Sequence, residues 1–129
     1  MTKKNFYISV SGVMGSGKTT MSKLLAEHLG FHLFEEKVAE NIFLPNYYQD
    51  PKKWAFYSQI FYLREKASQI SKVKSLLSSN SVIQDTPIYQ DAFAYAKAQK
   101  LLGYMTDEEH NLYLKFFEAL HKDLPTPDL

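Results

Sequence analysis

The chain reads as an α/β protein built on a parallel sheet with flanking helices. Three observations predict that class. Segments with strand and helix signatures alternate, which is the pattern of helices laid on a parallel sheet. A glycine-rich turn separates the first strand from the first helix, the place where such folds hold ligands. The size, 129 residues with 45% hydrophobic side chains, suits one domain over 1–129 with a buried core.

Phe6–Val10 is β-prone, ends shortly before Gly12, and reads as a buried strand. Lys18–Leu29 reads as a helix, with Met21, Leu24, Leu25 and Leu29 on one stripe and Gly30 as its stop. Phe31–Phe34 is a second short strand. Asn41–Asp50 contains Pro45 among polar residues and reads as loop or broken helix. Pro51 opens a long amphipathic helix of about six turns. Its stripe is Phe56, Ile60, Leu63, Ala67, Ile70 and Leu77, with Lys74 in one slot. Val82–Gln84 is a third strand. Pro87–Leu102 is helical and closed by Gly103, with Thr86 placed as its N-cap. Thr106 and Glu109 form a capping box before a last helix striped by Leu112, Phe116 and Leu120. About three strands make a small sheet, and the ending "LPTPDL" is a loop signal. The sheet is therefore expected to be incomplete, without its C-terminal strands.

Composition narrows the function classes. Net charge is 15 − 14 = +1, which offers no electrostatic footprint for nucleic acid or an acidic membrane. Cysteine is absent, so disulfides and thiolate metal sites are excluded. The N-terminal apolar run is too short for a secretion signal, and no 18-residue apolar stretch exists. A soluble cytoplasmic protein is expected. His28, His32, His110 and His121 lack ligand spacing and are assigned no role.

"GVMGSGKTT", Gly12 to Thr20, fits G-x-x-x-x-G-K-[ST] between a predicted strand and a predicted helix. Gly12, Gly15, Ser16 and Gly17 let backbone amides curl around a phosphate, and the helix N-terminus at Lys18, Thr19 and Thr20 adds its positive end. Lys18 would reach the outer phosphates of a nucleoside triphosphate, and the Thr19 hydroxyl would ligate Mg²⁺. GTPases need a guanine-reading N-K-x-D, and none is present.

Acids follow the other strands. Glu35 and Glu36 come after the second, where parallel sheets face their ligand crevice. One of them is either a base for an attacking hydroxyl or a solvated loop acid, and spacing alone leaves both readings open. Asp85 ends the third strand, where an acid can hold Mg²⁺ or its water. "DTP" is also a good helix start, and Asp91 one turn later suits the helix dipole. Gln59, beside the apolar stripe of the long helix, is either an exposed amide or a reader of a base edge. Tyr47, Tyr48, Trp54, Tyr57 and Tyr95 read mainly as packing.

Together these residues resemble the deoxynucleoside kinase family, most closely its bacterial deoxyadenosine/deoxyguanosine kinase members. The resemblance rests on "GVMGSGKTT", on "EKV" at Glu36–Val38, on "NIFLPNYYQDPKKWAFYSQIFYL", and on "DTPIYQD" where the family has acid-Arg-Ser leading to Tyr-x-Asp. It implies a P-loop kinase fold. It also implies transfer of the γ-phosphate of ATP, or another nucleoside triphosphate, to the 5′-hydroxyl of a deoxynucleoside with Mg²⁺. Glu36 takes the place of the family's general base. Gln59 and Asp91 take the place of residues that bond the base, Tyr48 of an aromatic on the sugar hydroxyl, and Tyr95 of an aromatic in the base pocket. Asp85 matches the acid of the acid-Arg pair. Lys37 replaces a proline, and Thr86 replaces the arginine. The family continues with a fourth strand, an arginine-bearing lid and a fifth strand, and it dimerises through long helices matching those after Pro51 and Thr106. Two other readings stand beside the kinase: a non-catalytic nucleotide-binding or oligomerising module, and, less well matched, a nucleoside monophosphate kinase.

Overall fold

The computed structural model describes residues 4–13, 15–36 and 40–129. Met14 of the glycine-rich turn, and Lys37 and Val38 of the family-like segment, lie outside the described residues. The chain divides into two compact units. The first comprises Met1–Glu36, Ser68–Pro87 and Leu124–Leu129, and the second Lys37–Ala67 and Ile88–Asp123.

The first unit holds a parallel sheet of β1 (Tyr7–Val10), β2 (His32–Phe34) and β3 (Val82–Asp85), in the order β1-β3-β2. Tyr7 pairs with Val82 and Val10 with Asp85 on one side of β3, while His32 pairs with Val82 and Phe34 with Gln84 on the other. Flanked on both sides, β3 is buried at every residue. The register brings the C-terminal ends of all three strands to one edge of the sheet. The last residues also reach β1: Asp128 N donates to Tyr7 O, and Ser9 N donates to Leu129 O. The ending therefore lies along the outer side of β1. Phe6, expected in a buried strand, falls outside β1 and is exposed.

Helix α1 (Lys18–Leu29) has the predicted bounds, closed by Gly30 at φ +68°. Its predicted stripe is corrected. Met21, Leu24 and Leu29 are exposed, and the buried residues are Ser22 and Ala26. Small side chains permit close packing, and Ser22 satisfies its hydroxyl by donating to Lys18 O.

In the second unit, the expected loop or broken helix contains α2 (Leu44–Gln49), with Pro45 in its first turn. Helix α3 (Pro51–Leu76) spans 26 residues, about seven turns, and supplies its first part here and its end to the first unit. Leu63, Ala67 and Ile70 are buried as expected, and Val73 rather than Lys74 fills the following slot. Residues 88–101 are helical but not uniformly so: α4 (Ile88–Gln90) passes into a π-helical stretch (Asp91–Ala96) and then α5 (Lys97–Leu101). Helix α6 (Asp107–His121) begins with the predicted capping box, in which Thr106 Oγ1 accepts from Glu109 N and Glu109 Oε1 accepts from Thr106 N. Its buried face is His110, Tyr113 and Phe117. The predicted stripe of Leu112, Phe116 and Leu120 is exposed, a second correction.

Thr86 is the third. It does not cap the helix after it. Its φ is +67°, its amide donates to Val10 O, and its hydroxyl donates to Asp85 Oδ1 at 3.2 Å. The strand thus turns through a left-handed threonine before Pro87.

Candidate functional site

The glycine-rich turn between β1 and α1 is assembled from glycines that the backbone requires. Gly15 and Gly17 stand at φ +77° and +89°, where a Cβ is penalised. At Gly12 a Cβ would come within 2.7 Å of Ser16 Oγ, so a larger residue there would force the Ser16 side chain to turn aside. Ser16 N donates to Val13 O, which tightens the turn. Lys18 Nζ reaches back to Gly12 O at 3.3 Å, across the mouth of the loop. Helix α1 has no acid in its first turn, so its positive end is left uncompensated by its own side chains. Thr20 follows in the same turn and is exposed.

Thr19 and Asp85 are brought together. Thr19 Oγ1 donates to Asp85 Oδ2 at 2.7 Å, joining the loop to the end of β3. Asp85 is only 2% exposed and also accepts from Thr86. No group of three or more His, Cys, Asp or Glu that could hold a metal occurs among the described residues. One hydroxyl and one carboxylate fit a hard cation that takes most of its ligands from phosphate and water, as Mg²⁺ does. Glu36, half-buried, follows β2 at the same edge of the sheet, while Glu35 is exposed and faces Lys23 Nζ at 3.6 Å. Glu35 O accepts from Gln69 Nε2 at 2.8 Å.

The remaining candidates lie in the second unit. Asp91 is 1% exposed, with Lys66 Nζ 3.9 Å from its Oδ2, and Lys66 itself is 3% exposed. Gln59 is buried, and its Oε1 has no hydrogen-bond partner among the described residues. Gln59 and Lys66 are seven residues apart on α3, which sets them on one helix face. Tyr113 is fully buried. Burial, and next the negative charge of Asp91, push its phenol far above the ordinary range, so it stays a neutral hydroxyl. Tyr95 Oη accepts from Gln90 Nε2 at 2.8 Å. Residues five apart lie well round an α-helix from one another, but a π-turn with i→i+5 bonding stacks them. Tyr48 stands apart: it is 72% exposed, with its ring against Tyr47 at 5.7 Å.

Three residues escaped the sequence reading. Lys66 was visible as a cation on the long helix, but its partner was not. Its spacing from Gln59 was the available signal. Tyr113 was hidden because the stripe of α6 was assigned to the wrong face. Gln69 lies outside any motif. Arg64, itself exposed, pairs with its half-buried neighbour Glu65 at 2.7 Å.

Comparison with known proteins then bears on the whole arrangement. A family model described as "Deoxynucleoside kinase" matches residues 8–129. A deoxyadenosine kinase of Dictyostelium discoideum is 33% identical over 95% of this chain and 49% of its own length. A deoxyadenosine/deoxycytidine kinase of Bacillus subtilis is 34% identical over 98% of this chain and 58% of its own. The chain thus spans about half the length of these curated relatives. Among solved structures, deoxyadenosine kinase from M. mycoides with bound dATP superimposes with a TM-score of 0.80 at 28% identity, over 96% of this chain and 62% of the other. The same enzyme with dCMP and a flexible dCDP matches with the same score at 29% identity, over 95% and 60%.

Proposed function

Since the chain belongs to the deoxynucleoside kinase family, we propose that it serves transfer of the γ-phosphate of ATP, or another nucleoside triphosphate, to the 5′-hydroxyl of a deoxynucleoside. The observation that carries this reading is the Thr19–Asp85 bond, which ties the phosphate loop to a strand-end acid. Loop amides and Lys18 hold the triphosphate. Thr19 and Asp85 would hold Mg²⁺, which when bound screens charge between the phosphates. Glu36 accepts the proton of the attacking hydroxyl. In the second unit, Gln59 and Asp91 read the base edge, Tyr95 lines the base and Tyr48 meets the sugar. The Lys66–Asp91 pair supports this, because a buried carboxylate held by a cation is a fixed acceptor. A purine is the favoured base, in keeping with the Dictyostelium relative named for deoxyadenosine. The protein acts in the cytoplasm as a homodimer through α3 and α6. The exposed Leu112, Phe116 and Leu120 of α6 support that. No helix of the described residues is long and apolar enough to cross a membrane.

The test is ATP-dependent phosphorylation of each deoxynucleoside by the 129-residue chain, with Glu36→Gln and Lys18→Ala as controls. Glu36→Gln should lower turnover by ~10²–10⁴-fold. Unchanged turnover in that variant would remove Glu36 from the mechanism. A second reading, nucleotide binding without turnover, is favoured by one observation: Thr86 carries no charge where the family has an arginine, and its hydroxyl is turned to Asp85. Thermal stabilisation by ATP·Mg²⁺ in the absence of any product would select that reading.

A further inference from the structure

A chain of buried amides crosses the first unit and ends beside Glu36. Tyr7 Oη donates to Gln84 Oε1 at 2.5 Å, Gln84 Nε2 donates to Gln69 Oε1 at 3.2 Å, and Gln69 Nε2 donates to Glu35 O at 2.8 Å. Tyr7 is 1%, Gln84 0% and Gln69 8% exposed. Two glutamines in succession at the centre of a sheet core are costly unless their polar atoms are satisfied, and apolar residues of the same size would pack there without that demand. Here the amides are used in one direction, donor to acceptor, from β1 through β3 and α3 to the main chain after β2.

The end of the chain matters most. The carbonyl of Glu35 and the amide nitrogen of Glu36 belong to one planar peptide group. A bond that fixes the direction of that carbonyl fixes the direction in which Glu36 leaves the strand. The ion pair that Lys23 makes with the Glu35 carboxylate at 3.6 Å is at the surface and holds little. We infer that Gln69 is a positioning residue for Glu36: through the Tyr7–Gln84–Gln69 relay it sets the Glu35–Glu36 peptide plane, and so where the Glu36 carboxylate meets the acceptor hydroxyl. This rests on the reading of Glu36 as the general base. Placement of a reacting group is where a shift of about 1 Å changes rate by up to ~10²-fold.

The experiment uses the 129-residue chain. Amide relaxation should give Glu36 an order parameter near ~0.85 in the parent and below ~0.6 in Gln69→Met, with the amides of Gly17 and Lys18 unchanged. Gln69→Glu keeps the acceptor for Gln84 and removes the donor to Glu35. It should loosen Glu36 in the same way, and it decides the matter where Gln69→Met does not fold. A Glu36 order parameter unchanged by the folded variant overturns the proposal, as does a parent Glu36 that is already mobile. In the transfer assay, the variant should lower kcat ~10- to 100-fold with KM moved by no more than about twofold. It should add nothing in a Glu36→Gln background, and a full further loss there overturns the proposal. If Glu36→Gln itself leaves turnover intact, the base assignment fails, and the relaxation result alone judges the relay.

Discussion

Thr86 holds a left-handed backbone at φ +67°, a region that penalises β-branched side chains, and it precedes a proline, which restricts it further. Such strain costs about 1–3 kcal/mol. Asparagine tolerates this conformation far better and keeps a polar side chain beside Asp85. Thr86→Asn is therefore expected to raise unfolding stability by about 1 kcal/mol, read as a higher urea midpoint at unchanged slope. A lower midpoint would show that the hydroxyl bond to Asp85 outweighs the backbone term. His110 makes a second residue-scale prediction. Burial first, then the positive charge of Lys100, hold its pKa below the usual 6.5. The unfolded chain therefore binds a proton before the folded one does. The stability that this histidine contributes is full above about pH 6.5 and is lost as pH falls from there through its lower folded value. Urea midpoints measured from pH 8 to pH 5 should drop more steeply for the parent than for His110→Gln, and parallel curves would contradict this.

Helix α6 shows how much an element owes to its ends. The Thr106–Glu109 box satisfies two amides reciprocally, at 3.0 and 2.9 Å, and Thr106→Ala should cost about 1 kcal/mol of stability by denaturant titration. This box was fully legible from sequence, as were both ends of α1, because caps and glycine stops are local chemistry. Which face of a helix is buried was less legible. In α6, apolar residues lie on two sides, and periodicity ranks Leu112, Phe116 and Leu120 above a face that includes His110. In α1, the sheet takes the small residues Ser22 and Ala26 and leaves the larger ones outside. The π-helical stretch has no sequence signature of its own. The glycine-rich turn and the acids that follow β2 and β3 could be placed directly from the sequence, since each stands next to an element boundary. Lys66 opposite Asp91, and Gln69 against Glu35, depend on partners far along the chain.

For the molecule as a whole, the exposed face of α6 bears on the proposed dimer. Leu112, Phe116 and Leu120 are each 40–46% exposed. Phe116→Glu with Leu120→Lys should convert a dimer to a monomer in sedimentation equilibrium without lowering helicity, and an unchanged mass would place the interface elsewhere. The order of strands has a consequence of another kind. β3 lies between β1 and β2, yet it is the last of the three to be synthesised. β1 and β2 have no bond to each other in this sheet, so neither gains a partner strand until Asp85 has left the ribosome. At ~5–20 residues per second, the segment from Val10 to Asp85 takes on the order of several seconds to appear. For that time the nascent glycine-rich turn has no sheet beneath it, and the early strands are exposed to mispairing. Pairing of an early strand with another nascent chain is the hazard that this strand order creates.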